Sequence, residues 1–278
     1  MASVRQRMIE DMKLRGLAPR TQERYLHSIK TLAKHYQCAP DELTQEQVRD
    51  YLLYMLEDRR YAKSTYKANL YAIKFLYKRT LGRKWVTLDI TRVKNDRKLP
   101  VVLSREEVWD LLAQVRKESV HICLTLMYTC GLRVSEAVNL RIKDIDSKRM
   151  VLWVRNSKGN KDRSVPLPVQ TLAQLRAYWL NHRSKTWLFP GKIGPMNIAT
   201  VQHCFKATVE QSPILKKVSC HTLRHSYATH LMEAGVPLRV IQALLGHKSV
   251  STTFLYMHLT QASMDGVQDK INELMRRD

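Results

Sequence analysis

The chain has 278 residues, 44% of them hydrophobic, and a formal net charge of +22. That length supports one large or two modest domains with a full apolar core, and a charge this high on a folded chain points to a polyanionic partner, most often nucleic acid. The charge is no terminal tail, because half of it lies in residues 1–98 and half in the remainder, which predicts two basic surfaces facing one duplex.

The five cysteines, Cys38, Cys123, Cys130, Cys204 and Cys220, are scattered, odd in number and lack a C-x-x-C pair. This excludes a disulfide framework or zinc knuckle and predicts reduced thiols in a cytosolic protein. No apolar run approaches the ~18 residues of a membrane span. The polar, charged opening at Met1 does not resemble a signal peptide. The expected location is cytoplasmic, on the nucleoid, with no membrane partner.

Residues 1–83 read as helices. Met8, Met12 and Leu14 begin the first apolar pattern, and Thr21 starts a second through Tyr25, Ile29, Leu32 and Ala33. Thr44-Gln45-Glu46-Gln47 resembles a capping box before Val48, Tyr51, Leu52 and Met55. Ser64 is read as the cap of a fourth helix whose apolar face is Tyr66, Leu70, Ile73, Leu76 and Tyr77. Lys63, Lys67, Lys74 and Lys78 fall largely on its other face. That face is either simply solvated or laid against DNA, with Ser64 and Thr65 near phosphates.

Residues 84–102 read as a basic interdomain linker, in which Trp85, Val86, Leu88 and Ile90 pack back on the first domain. The second domain is expected over 103–263. It opens with a helix start at Ser104-Arg105-Glu106-Glu107, then an apolar helix from Leu124 to Cys130 that Gly131 ends as a left-handed cap. A helix over Val134–Leu140 follows. Met150–Val154 and Arg163–Leu167 predict a strand pair around the turn Ser157-Lys158-Gly159-Asn160. Further helices are expected at about 169–182, 197–211, 221–234, 237–245, 251–257 and 262–275. The fold class is therefore mainly α, in two domains, the second of mixed α/β type with a small antiparallel sheet. Residues 264–278 read as a short amphipathic helix, with Met264, Val267, Ile271 and Leu274 at roughly helical spacing.

Cleaving a phosphodiester without a metal needs fixed positive charge on the non-bridging oxygens, an activated nucleophile, an acid for the leaving oxygen and in-line geometry. Arg133 and Arg224 suit the first task, since a guanidinium clamps two phosphate oxygens and stays charged. Glu136, three residues after Arg133, can orient Arg133 or a histidine. His221 shares a helical face with Arg224 and can take a proton from Tyr256, whose phenolate two arginines would favour. Lys158 at the hairpin tip can reach a leaving oxygen. A metal cluster of His221, His225 and His230 is disfavoured, because no carboxylate accompanies them and Arg224 would repel a cation. His225 reads as a packed residue.

Taken together, these residues resemble the tyrosine recombinase (phage-integrase) family, whose order is Arg…Lys…His-x-x-Arg…His/Trp…Tyr. The matches are Thr129–Glu136, Lys158–Arg163, His221-Thr222-Leu223-Arg224, Leu244-Leu245-Gly246-His247 and Tyr256, and the likeness runs over nearly the whole chain, closest in type to the compact Xer/integron recombinases. The resemblance implies that residues 1–83 are a SAM-like, four-helix core-binding domain and that the second domain is catalytic. It implies a site-specific recombinase that cleaves and rejoins duplex DNA through a 3′-phosphotyrosyl link, for integration, excision or resolution. Tyr256 would be the nucleophile and Lys158 the general acid, with Lys161 a second candidate. Arg133 and Arg224 would stabilise the transition state, His221 would move the proton, His247 would donate to a phosphate oxygen, and Glu136 would support the site. Lys63, Ser64, Thr65, Lys67, Lys161 and Arg163 are the expected DNA contacts. No metal or other cofactor is implied. The helix at 264–278 would dock on a neighbouring protomer in a homotetramer on double-stranded DNA, with or without a partner recombinase or accessory factor. The alternatives are a type IB-like topoisomerase and a non-catalytic DNA-binding protein of the same fold.

Overall fold

The computed structural model describes residues 3–90, 99–157, 161–247 and 253, and the chain divides into two compact units, Met1–Arg97 and Lys98–Asp278. The first unit is helical: α1 (Val4–Leu14), α2 (Pro19–Tyr36), α3 (Gln45–Glu57), α4 (Lys63–Phe75) with a π-helical turn at Leu76–Thr80, and the short α5 (Val86–Ile90). Apolar residues at helical spacing place Met8 and Met12, Ile29 and Leu32, Val48, Leu52 and Met55, and Tyr66, Leu70 and Ile73 in one core. The Thr44–Gln47 capping box forms as expected.

Ser64 does not cap α4. The cap position is Ala62, whose extended backbone (φ −53°, ψ 140°) precedes the first turn, and its carbonyl accepts from the Thr65 and Tyr66 amides at 2.8 and 3.0 Å. Ser64 already lies within that turn, where a hydroxyl is no longer placed to reach the leading amides. Beyond α4, Trp85 stacks on Tyr77 with ring centroids 4.4 Å apart, and Leu88 is fully buried, so this stretch folds back on the first unit. Val86, expected to join it, is exposed.

The second unit comprises α6 (Arg105–Ala113), α7 (Glu118–Thr129), α8 (Val134–Val138), a 3-10 turn at Ile142–Asp144, β1 (Ile145–Asp146), β2 (Val151–Ser157), β3 (Lys161–Pro166), α9 (Val169–His182), α10 (Ile198–Glu210), α11 (Cys220–Glu233) and α12 (Leu238–Leu245). Ser104 and Glu107 close a capping box at the start of α6. The middle of this unit is α7, which buries Val120, Ile122, Cys123, Leu124, Leu126 and Met127. A helix apolar on nearly every side has to sit inside.

The sheet is antiparallel in the order β1-β2-β3, and Val154 pairs with Arg163. β2 and β3 run further toward the hairpin tip than the strands read from the sequence, and β1 was not foreseen, since two residues display no period. The tip at 158–160 lies outside the described residues, as do residues 91–98 of the linker, the expected helix at 262–275, and all of the one at 251–257 except Thr253. All five cysteines are free thiols. Among the described residues no helix is long and apolar enough to cross a membrane.

Candidate active site

The site forms where the ends of α7 and α12 meet the first turns of α8 and α11. After α7 the chain turns at Gly131 with φ +61°, and a Cβ there would stand 2.5 Å from the Tyr227 ring. Only glycine fits both the backbone and the space. The turn makes Arg133 the cap residue of α8. Its amide donates to Glu136 Oε2 at 2.9 Å and its Nη1 to Oε1 at 2.6 Å.

Glu136 is the hub, with its side chain only 6% exposed. Arg163 reaches it from β3, donating Nη1 to Oε1 at 3.0 Å and Nη2 to Oε2 at 2.8 Å. Arg224 Nη1 lies 3.6 Å from Oε2. Burial pushes the Glu136 carboxyl up, but the Arg163 bonds and charge, followed by the Arg133 contacts, outweigh it and hold the pKa at about 2. The carboxylate therefore stays ionised among three guanidiniums.

Arg224 is 1% exposed. Its Nη1 donates to the Gly131 carbonyl at 2.6 Å and its Nη2 to the Leu245 carbonyl. Both carbonyls lie at helix C-terminal ends, where unsatisfied acceptors and the helix dipole concentrate negative charge. α12 then stops at Gly246 (φ +61°), where a Cβ would come within 3.1 Å of Arg163 Cδ.

Three histidines complete the pocket. His221 sits one turn before Arg224, and its ring meets His225 edge-on at 5.0 Å between centroids. Burial, then the Arg224 and Arg133 charges, lower His221. Burial and the His221 neighbour bring His225 down to about 4. His247 follows Gly246, with Nδ1 3.0 Å from Thr253 Oγ1, and burial, Arg224 and Arg133 hold it at about 3. All three are uncharged at neutral pH. His230 is not among them: its Nδ1 meets Tyr128 Oη at 2.9 Å and its Nε2 the Leu103 carbonyl at 3.0 Å.

Residues 101–263 match the model of the phage integrase family, and residues 4–87 match that family's N-terminal SAM-like domain. The chain belongs to the phage integrase family. It is a tyrosine recombinase, a DNA strand-exchange enzyme. The y4qK protein of Sinorhizobium fredii is 42% identical over 263 residues, spanning 93% of this chain and 85% of that one. Tyrosine recombinase XerC of Natranaerobius thermophilus is 34% identical over 250 residues, covering 83% of each chain. The fold is shared with a lambda integrase dimer bound to a COC′ core site, at a TM-score of 0.74 and 20% identity over 91% of this chain and 76% of that one.

Of the residues singled out in the recombinase sequence, Arg133, Glu136, Arg163, His221, Arg224 and His247 come together. Lys158 and Tyr256 lie outside the described residues, and of Lys161 only the backbone, at the start of β3, is described. Lys63, Ser64 and Thr65 are exposed on the first turn of α4, while Lys67 is half-buried with Nζ 5.8 Å from the Tyr71 ring centre. Lys78, on the same helical face, forms an ion pair with Asp89. The inward aim of Arg163 was missed. Its signal lay in strand parity, since Arg163 stands two residues before the buried Val165 and so shares its face of the sheet.

Proposed function

We propose that this recombinase joins DNA strands by two metal-independent phosphoryl transfers. Tyr256 Oη attacks the scissile phosphorus, and the bond to the 5′-oxygen breaks. The tyrosine proton passes to His221, and Lys158, or Lys161 as the second candidate, gives a proton to the leaving 5′-oxygen. A 3′-phosphotyrosyl link and a free 5′-hydroxyl result. In the second transfer the 5′-hydroxyl of a partner strand attacks the same phosphorus, its proton leaves through the lysine, and the tyrosine oxygen departs with a proton from His221.

The observation that carries this reading is the pairing of Arg224, fixed by two helix-end carbonyls, with Arg133, fixed on Glu136. Two guanidiniums held in place before the substrate arrives cost no reorganisation when charge builds on the non-bridging oxygens. The uncharged His221 can accept a proton at neutral pH. In the tautomer where Thr253 donates to His247 Nδ1, the proton on Nε2 can serve a phosphate oxygen.

The same reading has the chain bind double-stranded DNA as a homotetramer, with or without a partner recombinase or accessory factor, in the cytoplasm where the chromosome lies. Lys63, Ser64, Thr65, Lys67 and Lys161 contact the backbone, and residues 264–278 dock on a neighbouring protomer. A nicked duplex that traps the covalent intermediate tests the chemistry. The adduct is expected with the wild-type chain, with EDTA present, and is expected to vanish in Tyr256→Phe while duplex binding persists. An adduct that survives Tyr256→Phe, or that requires added metal, refutes the assignment.

A further inference from the structure

Arg163 was expected to touch DNA, yet its side chain is only 9% exposed and faces inward. Its two terminal nitrogens meet the two oxygens of Glu136, and its Nε donates to the Leu244 carbonyl at 2.8 Å. One planar side chain thereby joins three pieces of backbone: the return strand of the hairpin that carries Lys158, the turn that carries Arg133, and the helix end that leads into His247. We propose that Arg163 is a positioning residue of the recombinase, holding Glu136 and the end of α12 on β3 so that Arg133, Arg224 and His247 keep one arrangement around the phosphate. This rests on the functional reading above.

The geometry separates the three arginines. Arg163 engages Glu136 as a fork against both oxygens, the strongest way to satisfy a carboxylate. Arg224 stands further off and spends its strong bonds on backbone carbonyls. Arg133, at 21% side-chain exposure, is the outermost of the three. With Glu136 neutralised chiefly by Arg163, Arg133 and Arg224 retain net positive charge for the substrate. Without Arg163, Glu136 loses its fork partner, and β3 and the end of α12 lose their tie to the turn that carries Arg133. Lysine cannot replace the fork, because an ammonium is a point charge and cannot span two carboxylate oxygens and a carbonyl in one plane.

The charged or titratable groups that face Glu136 include Arg133 from its own turn, Arg163 from β3, and Arg224 and His221 from α11. Removing Arg163 removes the main opponent of burial, so the Glu136 pKa rises toward the assay range. Cleavage of a nicked duplex under single-turnover conditions, followed from pH 5 to 9, reads this out. Arg163→Met is expected to lower the rate by about 10–100-fold, the usual effect of losing a group that orients a direct ligand. It is also expected to add an acid-side loss of rate beyond that of the wild type, because Glu136 protonates as pH falls. Adding Glu136→Gln to Arg163→Met should remove that pH dependence. Arg163→Lys, the variant more certain to fold, should keep the wild-type profile but not the full rate. Binding of the same duplex by Tyr256→Phe carriers of each change should show an unchanged salt slope. Wild-type rates in Arg163→Lys, or an unaltered pH profile in a folded Arg163→Met, overturn the proposal. So does a salt slope reduced by about one, the mark of a lost phosphate contact. A wild-type chain that forms no adduct would instead overturn the functional reading itself.

Discussion

The lysine-bearing face of α4 and the arginine cluster around Glu136 carry the same sign of charge and meet water in opposite ways. Along α4 and the π-helical turn after it, Lys63 is exposed, Lys67 leans over Tyr71, and Lys78 is taken up by Asp89. Charges of this kind act through salt-screened attraction, and each contributes little by itself. Around Glu136 the guanidiniums are buried or, for Arg133, mostly so; they are oriented by a carboxylate and by helix-end carbonyls and are screened little. A count of +22 merges these two populations. The comparison separates them into charge that gathers a polyanion and charge fixed for chemistry.

Arg224→Ala is the most damaging way to break the comparison. It deletes one of the two fixed guanidiniums, for which a cleavage loss of about 10²–10³-fold is expected. It also strands the Gly131 and Leu245 carbonyls and leaves Glu136 short of a cation, a disruption of buried charge that costs about 3–5 kcal/mol. Single-turnover cleavage and denaturant melting measure the two effects, and an unchanged melt would contradict the anchoring described for Arg224. Arg133→Ala should match the loss of cleavage with a far smaller loss of stability, about 1 kcal/mol, because this side chain is partly exposed. Equal destabilisation by the two substitutions would erase the distinction between them.

On the other face, Lys63→Ala with Lys67→Ala should reduce the slope of log affinity against log salt by about two and leave cleavage of saturated substrate unchanged. A large fall in the cleavage rate at saturation would place these lysines in the chemistry after all. Stability should also depend on pH. The pKa values of Glu136, at about 2, and of His225 and His247, at about 4 and 3, are all depressed below those of an unfolded chain. The unfolded chain therefore binds more protons as pH falls, first at its histidines below about 6.5 and then at its carboxylates below about 4.3, so the folded state loses ground. Melting of the second unit should drop progressively from pH 7 to pH 4, and a flat profile would contradict the buried, uncharged histidines.

Much of this was legible in the chain because local rules were obeyed. Thr44 with Gln47 and Ser104 with Glu107 cap the helices they precede, and the all-round apolar pattern of α7 marks an interior helix. Gly131 at a positive φ ends that helix as its position suggested. What failed was local evidence set against neighbours. Ser64 has a capping residue's chemistry but lies two residues too late, because the backbone at Ala62 had already taken the extended conformation. Arg163 looked like an outward basic residue in a hairpin, and its inward aim became visible only with Glu136 and the end of α12 beside it. His230, read with two other histidines as a weak metal pattern, instead bonds Tyr128 and the Leu103 backbone. Spacing along one helix says which residues share a face, and it says nothing of what the facing element offers them.

Gly131 and Gly246 have a consequence for anyone who wants to redirect this enzyme to a new DNA sequence. Each is a place where the site depends on an atom that is not there: a methyl group at one runs into the Tyr227 ring, and at the other it crowds the Arg163 side chain. Any other residue is strained at both positions by the positive φ, and at Gly131 it also meets the Tyr227 ring, so both are best left fixed in a randomised library. The exposed first turn of α4 carries no such constraint.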